Sequence, residues 1–256
     1  TDTRQGYTQA INAAARVLEA GGIVGLPTET VYGLAASAEH PVTIERLRQV
    51  KKRPEEKEFT ICLPLKSDVR RFATKISRKA EKLISRFWPG PLTLVLPCGE
   101  GTVGLRMPGL TLTRDVLLKA DTTVIIPSAN PHGYEPATSA EDVMRYFDGQ
   151  IELVIDGGPS RLGVSSTVVE VSADDELAVL RFLDGSRQDD EVVGERVENE
   201  LVGLLDSLLH VHLLQHVGID EEGHVAGVPG FQAQGVGHVP GEEEVPFVGD
   251  LAVEVR

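Results

Sequence analysis

Short apolar segments alternate with amphipathic segments along residues 1–186, and this alternation constrains the fold more than any other feature. The apolar segments at 23–26, 92–96 and 124–126 have the length of buried strands, while 8–20 and 77–87 carry apolar residues at helical spacing. The full prediction has strands at 23–26, 59–63, 92–96, 103–107, 124–126, 152–155, 166–171 and 177–181, and helices at 8–20, 43–51, 67–73, 77–87, 113–120 and 140–147. About eight short strands alternating with helices predict an α/β fold.

The composition of the chain changes near Ser186, which predicts a domain boundary. Residues 187–256 hold three Lys and Arg against fifteen Asp and Glu, whereas 1–186 hold 22 basic and 24 acidic residues. We therefore predict one domain over 1–186 and an acidic C-terminal extension of unknown fold over 187–256. Apolar spacing at 192–217 is compatible with one amphipathic helix, and the pattern beyond Gly218 favours a loose extension.

A basic stretch stands out within the balanced part of the chain. Residues 46–86 carry fourteen Lys and Arg against five Asp and Glu. A local positive field suits a polyanion such as ATP or tRNA, although solvated helix faces would have the same composition. Lys51, Arg53 and Lys57 follow a predicted helix, where they could clamp phosphate oxygens during nucleotidyl transfer. Basic runs of this kind are also common on ordinary surfaces.

Polar side chains follow two of the predicted strands, in the place where open α/β sheets bind ligands. Thr28, Thr30 and Tyr32 follow the first strand, and Ser128 and Asn130 follow a later one. Turns whose hydroxyls bond their own backbone would show the same pattern, so these residues alone leave both interpretations open.

Arg106 lies inside an otherwise apolar strand, and Ser166 opens another strand. A buried arginine needs a partner, which either a bound carboxylate or a structural Asp or Glu would supply. Several polar groups that converge on strand ends favour a ligand site more than any single motif does.

Other motif classes are missing from the sequence. It has no G-x-x-x-x-G-K-[ST] phosphate loop, no G-x-G-x-x-G fingerprint and no G-x-S-x-G nucleophile. Cys62 and Cys98 provide no disulfide framework and no metal-ligand spacing, which fits a reducing compartment. His210, His212 and His216 could gather round a metal but are more simply incidental, and we expect no metal site.

No apolar run approaches the roughly 20 residues of a membrane span, and no secretory signal is visible at the start of the sequence. We therefore expect a cytoplasmic protein that does not interact with membranes.

An ordered series of short motifs runs from Gly21 to Gly185. In chain order they are Pro27-Thr28-Glu29-Thr30-Val31-Tyr32-Gly33-Leu34, Lys51-x-Arg53-Pro54, Trp88-Pro89-Gly90-Pro91-Leu92-Thr93, Arg106-Met107-Pro108, Ser128-Ala129-Asn130, Asp156-Gly157-Gly158 and Ser165-Ser166-Thr167-Val168. The series resembles the YrdC-like threonylcarbamoyl-AMP synthase family, and its order makes it far more specific than any single motif.

The resemblance implies a YrdC-like twisted mixed sheet with flanking helices around a positively charged cavity. It implies that the cavity binds L-threonine and ATP, with Mg²⁺ accompanying the nucleotide. The activity would be that of a nucleotidyltransferase, L-threonylcarbamoyladenylate synthase, which makes threonylcarbamoyl-AMP and pyrophosphate from L-threonine, bicarbonate or CO2, and ATP. A tRNA-modifying transferase complex would be the partner that moves the threonylcarbamoyl group onto tRNA.

The resemblance also assigns roles to residues. L-threonine would contact Thr30, Tyr32, Cys62, Arg106, Ile126 and Ser166. ATP would contact Lys51, Arg53, Lys57, Thr102, Ser128, Asn130, Pro136 and Arg181. Lys51, Arg53 and Arg106 would be the catalytic residues and would act by positioning and charge stabilisation, because no residue is an obvious covalent nucleophile.

The chain departs from the family pattern at three places, one of which is Arg181-Phe182-Leu183-Asp184-Gly185, where Arg-Pro-Gly is usual. Many members have His where this chain has Cys62, so we expect a weaker contact with threonine. Glu58 stands where Pro is usual and brings a carboxylate next to the phosphate clamp. It should weaken the clamp unless its side chain turns to solvent. The extension at 187–256 does not resemble the C-terminal domain of longer members.

Two alternatives compete with the synthase. The same fold has been associated with double-stranded RNA binding, so the basic surface could serve RNA without chemistry. A carbamoyl-transfer domain, like the one inside hydrogenase-maturation proteins, is the second alternative, although the sequence shows none of their acylphosphatase or zinc-finger segments. Thr30, Arg106 and Ser166 favour the synthase, because RNA binding alone would not require them.

Overall fold

The computed structural model describes residues 3–55, 57–181 and 252–255. The α-helices of this part are α1 (Thr3–Glu19), α2 (Pro41–Lys51), α3 (Arg78–Phe87), α4 (Thr111–Ala120) and α5 (Ala140–Phe147), and a 3-10 helix covers Lys66–Arg71. The strands are β1 (Val24–Leu26), β2 (Gly33–Ser37), β3 (Ile61–Cys62), β4 (Leu92–Cys98), β5 (Gly101–Arg106), β6 (Val124–Ile125), β7 (Leu153–Asp156), β8 (Thr167–Val171), β9 (Leu177–Arg181) and β10 (Ala252–Val255). These elements confirm the predicted α/β class.

The ten strands of the described part form one mixed sheet. Its order is β10-β7-β1-β2-β6-β3-β5-β4-β8-β9. The β1–β7, β3–β5 and β4–β8 pairs are parallel, and the other neighbours pair antiparallel. Parallel pairs are usually covered on both faces, so helices are expected on each side of this sheet.

Helices do cover both faces of the sheet around β1. Val24 belongs to a buried cluster with Leu18 of α1 and Val116 of α4. Its neighbour Ile23 instead packs in a cluster that contains residues of α2 and α5, including Phe147. Consecutive strand residues point to opposite faces, so this chain segment is apolar throughout because both of its faces are buried.

A third buried cluster lies at the other end of the sheet. Val69 of the 3-10 helix and Leu83 of α3 pack there against Leu94 of β4 and Leu105 of β5. The N-terminus of α3 is capped by Ser77, whose hydroxyl accepts a hydrogen bond from the amide of Ala80 at 3.2 Å.

The sequence analysis predicts no strand between 26 and 59, and β2 corrects this. Gly33–Ser37 consists of small residues with little intrinsic preference for strands. The segment is fully buried between β1 and β6, and Ala35 pairs with Val24 while Ala36 pairs with Ile125. Pairing on both sides therefore decides its conformation.

The α-helix predicted at 67–73 is instead a 3-10 helix over Lys66–Arg71.

The predicted C-terminal extension is described only at 252–255. These residues form β10, which pairs antiparallel with β7, so the stretch beyond Gly218 contains a strand that the sequence pattern did not predict. The helix considered at 192–217 lies outside the described residues, and the domain boundary near Ser186 stays a prediction. Within the described part, no helix combines the length and the apolar character needed to cross a membrane.

Candidate active site

A cavity lies where the segments that follow β1 and β6 meet β3, β4, β5 and the segment leading into β8. Its lining is mainly polar and carries three arginines. The residues that line it are Thr28, Thr30, Val31, Tyr32, Gly33, Arg53, Thr60, Cys62, Thr93, Arg106, Ile126, Pro127, Ser128, Ser165, Ser166 and Arg181. All six predicted threonine contacts are among them.

The sheet register places three of these residues side by side. Cys62 of β3 pairs with Arg106 of β5, and Arg106 pairs in turn with Thr93 of β4. Directly paired residues point to the same face of a sheet, so the three side chains reach the same cavity. Thr93 is not among the predicted contacts, although counting back along the β4–β5 hairpin from its turn at 98–101 would have indicated it.

The hydroxyl of Thr28 organises the segment after β1. It donates to the carbonyl oxygen of Val31 at 2.6 Å and lies 2.8 Å from the hydroxyl of Thr30. Thr28 has one hydroxyl proton, so the Thr30 hydroxyl must be the donor in the pair. The Thr28 oxygen also accepts from the amides of Thr30 and Val31. The oxygen of Thr30 also accepts from Arg106 Nη2 at 2.9 Å, which leaves it one lone pair.

Arg106 is buried and has partners on two of its three nitrogens. Its Nη2 donates to Glu29 Oε1 at 2.7 Å and to Thr30 Oγ1 at 2.9 Å, and its Nε donates to the carbonyl oxygen of Gly90 at 3.3 Å. Sequence analysis left open whether a structural acid or a bound carboxylate is the partner. The structure supplies the structural acid, Glu29, and leaves Nη1 without a hydrogen-bond partner among the described residues.

Tyr32 is fully buried, and its hydroxyl is used within the protein. The hydroxyl donates to the carbonyl oxygen of Gly158 at 2.8 Å and accepts from the amide of Gly157 at 3.1 Å. Burial raises the pKa of Tyr32 to about 12, so the phenol is neutral at ordinary pH. Tyr32 therefore offers the cavity its ring and joins the segment after β1 to the segment after β7.

Ser166 connects three elements at the opposite wall. Its hydroxyl lies 2.9 Å from the hydroxyl of Thr93 and accepts from Arg181 Nη2 at 3.3 Å. Arg181 Nε also donates to the carbonyl oxygen of Ser166 at 3.1 Å. The predicted threonine contact Ser166 and the predicted ATP contact Arg181 thus touch each other at this wall of the cavity.

Cys62 is buried beside Arg106 in the floor of the cavity. Burial raises the pKa of its thiol to about 12, and the positive charge of Arg106 only partly opposes this effect. The thiol is therefore protonated at neutral pH, which excludes a thiolate nucleophile at this position.

In the segment that follows α2, Arg53 lies at the cavity and Glu58 faces solvent. Arg53 lines the cavity, and its Nε and Nη2 donate to the carbonyl oxygens of Lys57 and Glu58 at 3.1 and 2.7 Å. Burial and the neighbouring Arg48 lower the pKa of Arg53, which remains charged. The side chain of Glu58 is 87% exposed, so this carboxylate does turn to solvent, as sequence analysis required for an intact clamp.

Lys51 is more deeply buried than sequence analysis expects, with 3% of its surface exposed. Its Nζ donates to the carbonyl oxygens of Ser128 and Asn130, the latter at 2.7 Å, and its own carbonyl oxygen accepts from the amide of His132 at 2.7 Å. Lys51 therefore joins the end of α2 to the segment after β6.

Ser128 and Asn130 also bond to each other. The hydroxyl of Ser128 donates to Asn130 Oδ1 at 2.6 Å, and Asn130 Nδ2 donates to the carbonyl oxygen of Tyr134 at 2.6 Å. Among the described residues, five of the predicted ATP contacts do not line the cavity: Lys51, Lys57, Thr102, Asn130 and Pro136. Their contacts with a nucleotide stay predictions.

A family model named for Sua5, YciO and YrdC, and described as telomere recombination, matches residues 16–182. The chain belongs to the Sua5/YciO/YrdC family. This membership confirms the family that the ordered motifs indicate.

Relatives of this Sua5/YciO/YrdC chain include two threonylcarbamoyl-AMP synthases. The protein from Pyrococcus abyssi is 38% identical over 172 residues, which are 63% of this chain and 51% of that protein. The protein from Bacillus subtilis is 35% identical over 192 residues, which are 71% of this chain and 55% of that protein. The chain thus spans about half the length of these two curated relatives.

Solved structures of the family share the fold. A crystal structure of P. abyssi Sua5 complexed with L-threonine has a TM-score of 0.64 at 38% identity, and the match covers 67% of this chain and 53% of that one. E. coli YciO has a TM-score of 0.63 at 23% identity, covering 70% and 91% of the two chains, and shows the fold alone. The predicted twisted mixed sheet with flanking helices is confirmed, while the positive charge of the cavity stays a prediction.

Proposed function

We propose that this chain is an L-threonylcarbamoyladenylate synthase. It converts L-threonine, bicarbonate or CO2, and ATP into threonylcarbamoyl-AMP and pyrophosphate. The product serves a tRNA-modifying transferase complex that attaches the threonylcarbamoyl group to tRNA. The names of the relatives support this activity, and the crystal structure of P. abyssi Sua5 with L-threonine supports the substrate.

One observation carries the proposal. Arg106 lines the cavity with Nη1 free of hydrogen bonds to the described residues, beside the hydroxyls of Thr30 and Ser166. A free guanidinium nitrogen suits the carboxylate of an amino acid, and the remaining lone pair of the Thr30 hydroxyl oxygen suits its ammonium group. A surface that only bound nucleic acid would need cations facing outward, whereas this arginine lies inside a cavity.

The nucleotide occupies the side of the cavity formed by Arg53, Ser128 and Arg181. Arginine binds phosphate oxygens through paired donors, and negative charge grows on the α-phosphate and on pyrophosphate during the reaction. The described residues include no group of three or more His, Cys, Asp and Glu side chains close enough to hold a metal. We expect Mg²⁺ to enter with ATP, as part of the substrate.

The chemistry needs positioning more than a nucleophile from the protein. The threonine ammonium first gives a proton to solvent. The amine then attacks the carbon of CO2 with loss of a second proton, or the carbon of bicarbonate with loss of water, and gives a carbamate. A carbamate oxygen then attacks the α-phosphorus, and the bond to the bridging oxygen of pyrophosphate breaks. Arg106 holds the amino acid, Arg53 stabilises the departing charge, and the protonated Cys62 takes no covalent part.

Pyrophosphate release tests the proposal directly. Purified protein is incubated with ATP, Mg²⁺, bicarbonate and L-threonine, and each component is omitted in turn. We expect release that requires both L-threonine and bicarbonate, and threonylcarbamoyl-AMP as the nucleotide product by mass spectrometry. Folded protein that releases no pyrophosphate in the presence of L-threonine would contradict the proposed synthase activity. Binding to double-stranded RNA without turnover, or release driven by carbamoyl phosphate, would point to the other two functions of this fold.

A further inference from the structure

We propose that Glu29 is a positioning residue that sets the cavity for a zwitterionic amino acid with a single carboxylate. Glu29 does this through Arg106, whose guanidinium it orients and whose charge it balances. This inference rests on the proposed function, because it concerns how the same cavity selects its amino acid. It concerns a side chain that does not line the cavity and lies behind Arg106.

Both carboxylate oxygens of Glu29 are used. Oε1 accepts from Arg106 Nη2 at 2.7 Å, and Oε2 accepts from the amide of Gly109 at 2.8 Å. The side chains of Glu29 and Arg106 are 14% and 11% exposed, so the pair is largely shielded from water. A shielded ion pair with hydrogen bonds on its remaining atoms has one favoured geometry.

The surroundings leave the Glu29 carboxylate little freedom to move. A Cβ atom added at Gly109 would lie 2.9 Å from Glu29 Cδ, so the absence of a side chain there is what admits the carboxylate. The backbone of Glu29 is held as well, because its carbonyl oxygen accepts from the amide of Leu162 at 2.9 Å. Glu29 is therefore a fixed support against which Arg106 is placed.

This support determines which atoms of Arg106 remain for a ligand. Glu29 and Thr30 take the two protons of Nη2, and Gly90 takes that of Nε. The free nitrogen is Nη1, on an arginine that lines the cavity. A ligand carboxylate thus meets one nitrogen in a fixed position, which suits one carboxylate better than a phosphate or a dicarboxylate.

The charges around the cavity also favour a zwitterionic amino acid next to Arg106. No Asp or Glu is among the described residues that line the cavity, but Glu29 compensates Arg106 from behind. Arg53, at the nucleotide side, has no carboxylate within 4.0 Å among the described residues. The amino-acid side of the cavity therefore favours a ligand of zero net charge, and the Arg53 side favours an anion.

The test compares L-threonine with L-threoninamide, which lacks the carboxylate. Calorimetry on the wild-type protein should give a Kd for L-threonine at least about tenfold lower than that for the amide, as expected for a charge-assisted contact. In Glu29→Gln the amide oxygen cannot serve both Arg106 and Gly109, so Arg106 loses its fixed position. We expect the ratio of the two Kd values to fall below about threefold, because the lost position of Arg106 outweighs the positive charge that Glu29 no longer balances. The Kd for ATP should stay within about threefold of wild type.

A second variant disturbs Glu29 without removing its charge. Gly109→Ala pushes the carboxylate away through the added Cβ, and it should reduce the same ratio. Glu100→Gln is the matched control, because Glu100 is exposed in the turn between β4 and β5 and should leave the ratio unchanged. In an Arg106→Gln background, Glu29→Gln should add little to the loss of L-threonine binding, since both changes remove one contact.

The outcomes separate the two proposals. Wild-type protein that does not bind L-threonine contradicts the proposed function itself. Wild-type protein that discriminates, with the ratio retained in both Glu29→Gln and Gly109→Ala, overturns the role of Glu29 and leaves the function standing. Thermal unfolding checks that each variant is folded, and if Glu29→Gln does not fold, Gly109→Ala decides alone.

Discussion

The ammonium group of Lys51 donates a hydrogen bond of 2.7 Å to the carbonyl oxygen of Asn130, inside the protein. A second bond goes to the carbonyl oxygen of Ser128, and no carboxylate among the described residues balances the charge. Burial, together with the positive charge of Arg53, lowers the pKa of Lys51 from 10.5 to about 7. The stability of the protein should therefore depend on the protonation of this one residue.

The sign of that dependence follows from proton binding. Between about pH 7 and 10.5 the unfolded chain keeps the Lys51 proton while the folded protein loses it, so the free energy of unfolding should rise with pH. The contribution is at most about 1.4 kcal/mol per pH unit. Lys51→Met should lose this slope in urea titrations, and Lys52→Met, at the exposed neighbouring position, should keep it. Equal slopes in the wild type and Lys51→Met would contradict the prediction.

Thr28→Val should destabilise the fold and weaken threonine binding together. The change keeps the shape of the side chain but leaves the carbonyl oxygen of Val31 and the hydroxyl of Thr30 without their partner. We expect a loss of about 1–3 kcal/mol in the free energy of unfolding, measured by urea titration, and a higher KM for L-threonine. Thr8→Val, at an exposed position of α1, is the control and should change neither quantity appreciably.

Gly33→Ala should disturb the wall of the cavity. The added Cβ would lie 2.3 Å from Ile126 Cγ2, and both residues line the cavity. Forcing these groups apart should cost about 1–3 kcal/mol in thermal unfolding and reduce threonine-dependent pyrophosphate release. Gly101→Ala in β5 is the matched control, since its Cβ would meet nothing closer than 3.9 Å. A Gly33→Ala variant with the stability and activity of the wild type would contradict this prediction.

Substitutions of Arg53 and of Glu58 should differ sharply in their effect on the KM for ATP. Arg53→Gln removes a cation of the cavity lining and should raise the KM for ATP about tenfold. Glu58→Gln should change it by less than about threefold, because the side chain is exposed and its carboxylate lies 4.0 Å from Arg48. Steady-state kinetics at saturating L-threonine measures both. A large gain in ATP affinity for Glu58→Gln would show that this carboxylate does act on the clamp.

The two cysteines should react at very different rates. Cys98 is exposed, whereas Cys62 is buried and has a pKa of about 12, so almost none of it is thiolate at pH 8. A thiol reagent such as DTNB should label one cysteine in the folded protein and two after unfolding. Cys98→Ser should remove the fast reaction. Rapid labelling of Cys62 in the folded Cys98→Ser variant would contradict its placement in the cavity floor.

The sequence predicts most strands and helices because each buries residues at the spacing of its own geometry. It fails at β2, where Gly33–Ser37 offers no periodic pattern and only the neighbouring strands stabilise the extended backbone. The same limit applies to β10, whose pairing with β7 joins residues about a hundred positions apart in the chain. Local propensity carries no information about either pairing.

The site shows a similar division. Its predicted threonine contacts follow from motifs, and Arg106 is conspicuous as a charge in an apolar strand. The partner of Arg106 could not be identified from composition, because Glu29 reaches it only when the segment after β1 folds over the end of β5. The inward position of Lys51 was equally hidden, since a Lys-Lys-Arg run does not reveal which side chain the end of α2 turns toward the protein.

Tyr32 links segments that are otherwise separate in the chain. Its amide donates to the carbonyl oxygen of Ala137, its carbonyl oxygen accepts from the amide of Ala129, and its hydroxyl accepts from the amide of Gly157. We expect the amides of Ala129 and Gly157 to exchange slowly with solvent deuterium while Tyr32 keeps both hydrogen bonds. A ligand that holds Tyr32 in place should therefore slow deuterium exchange at both amides, although they belong to segments that follow different strands.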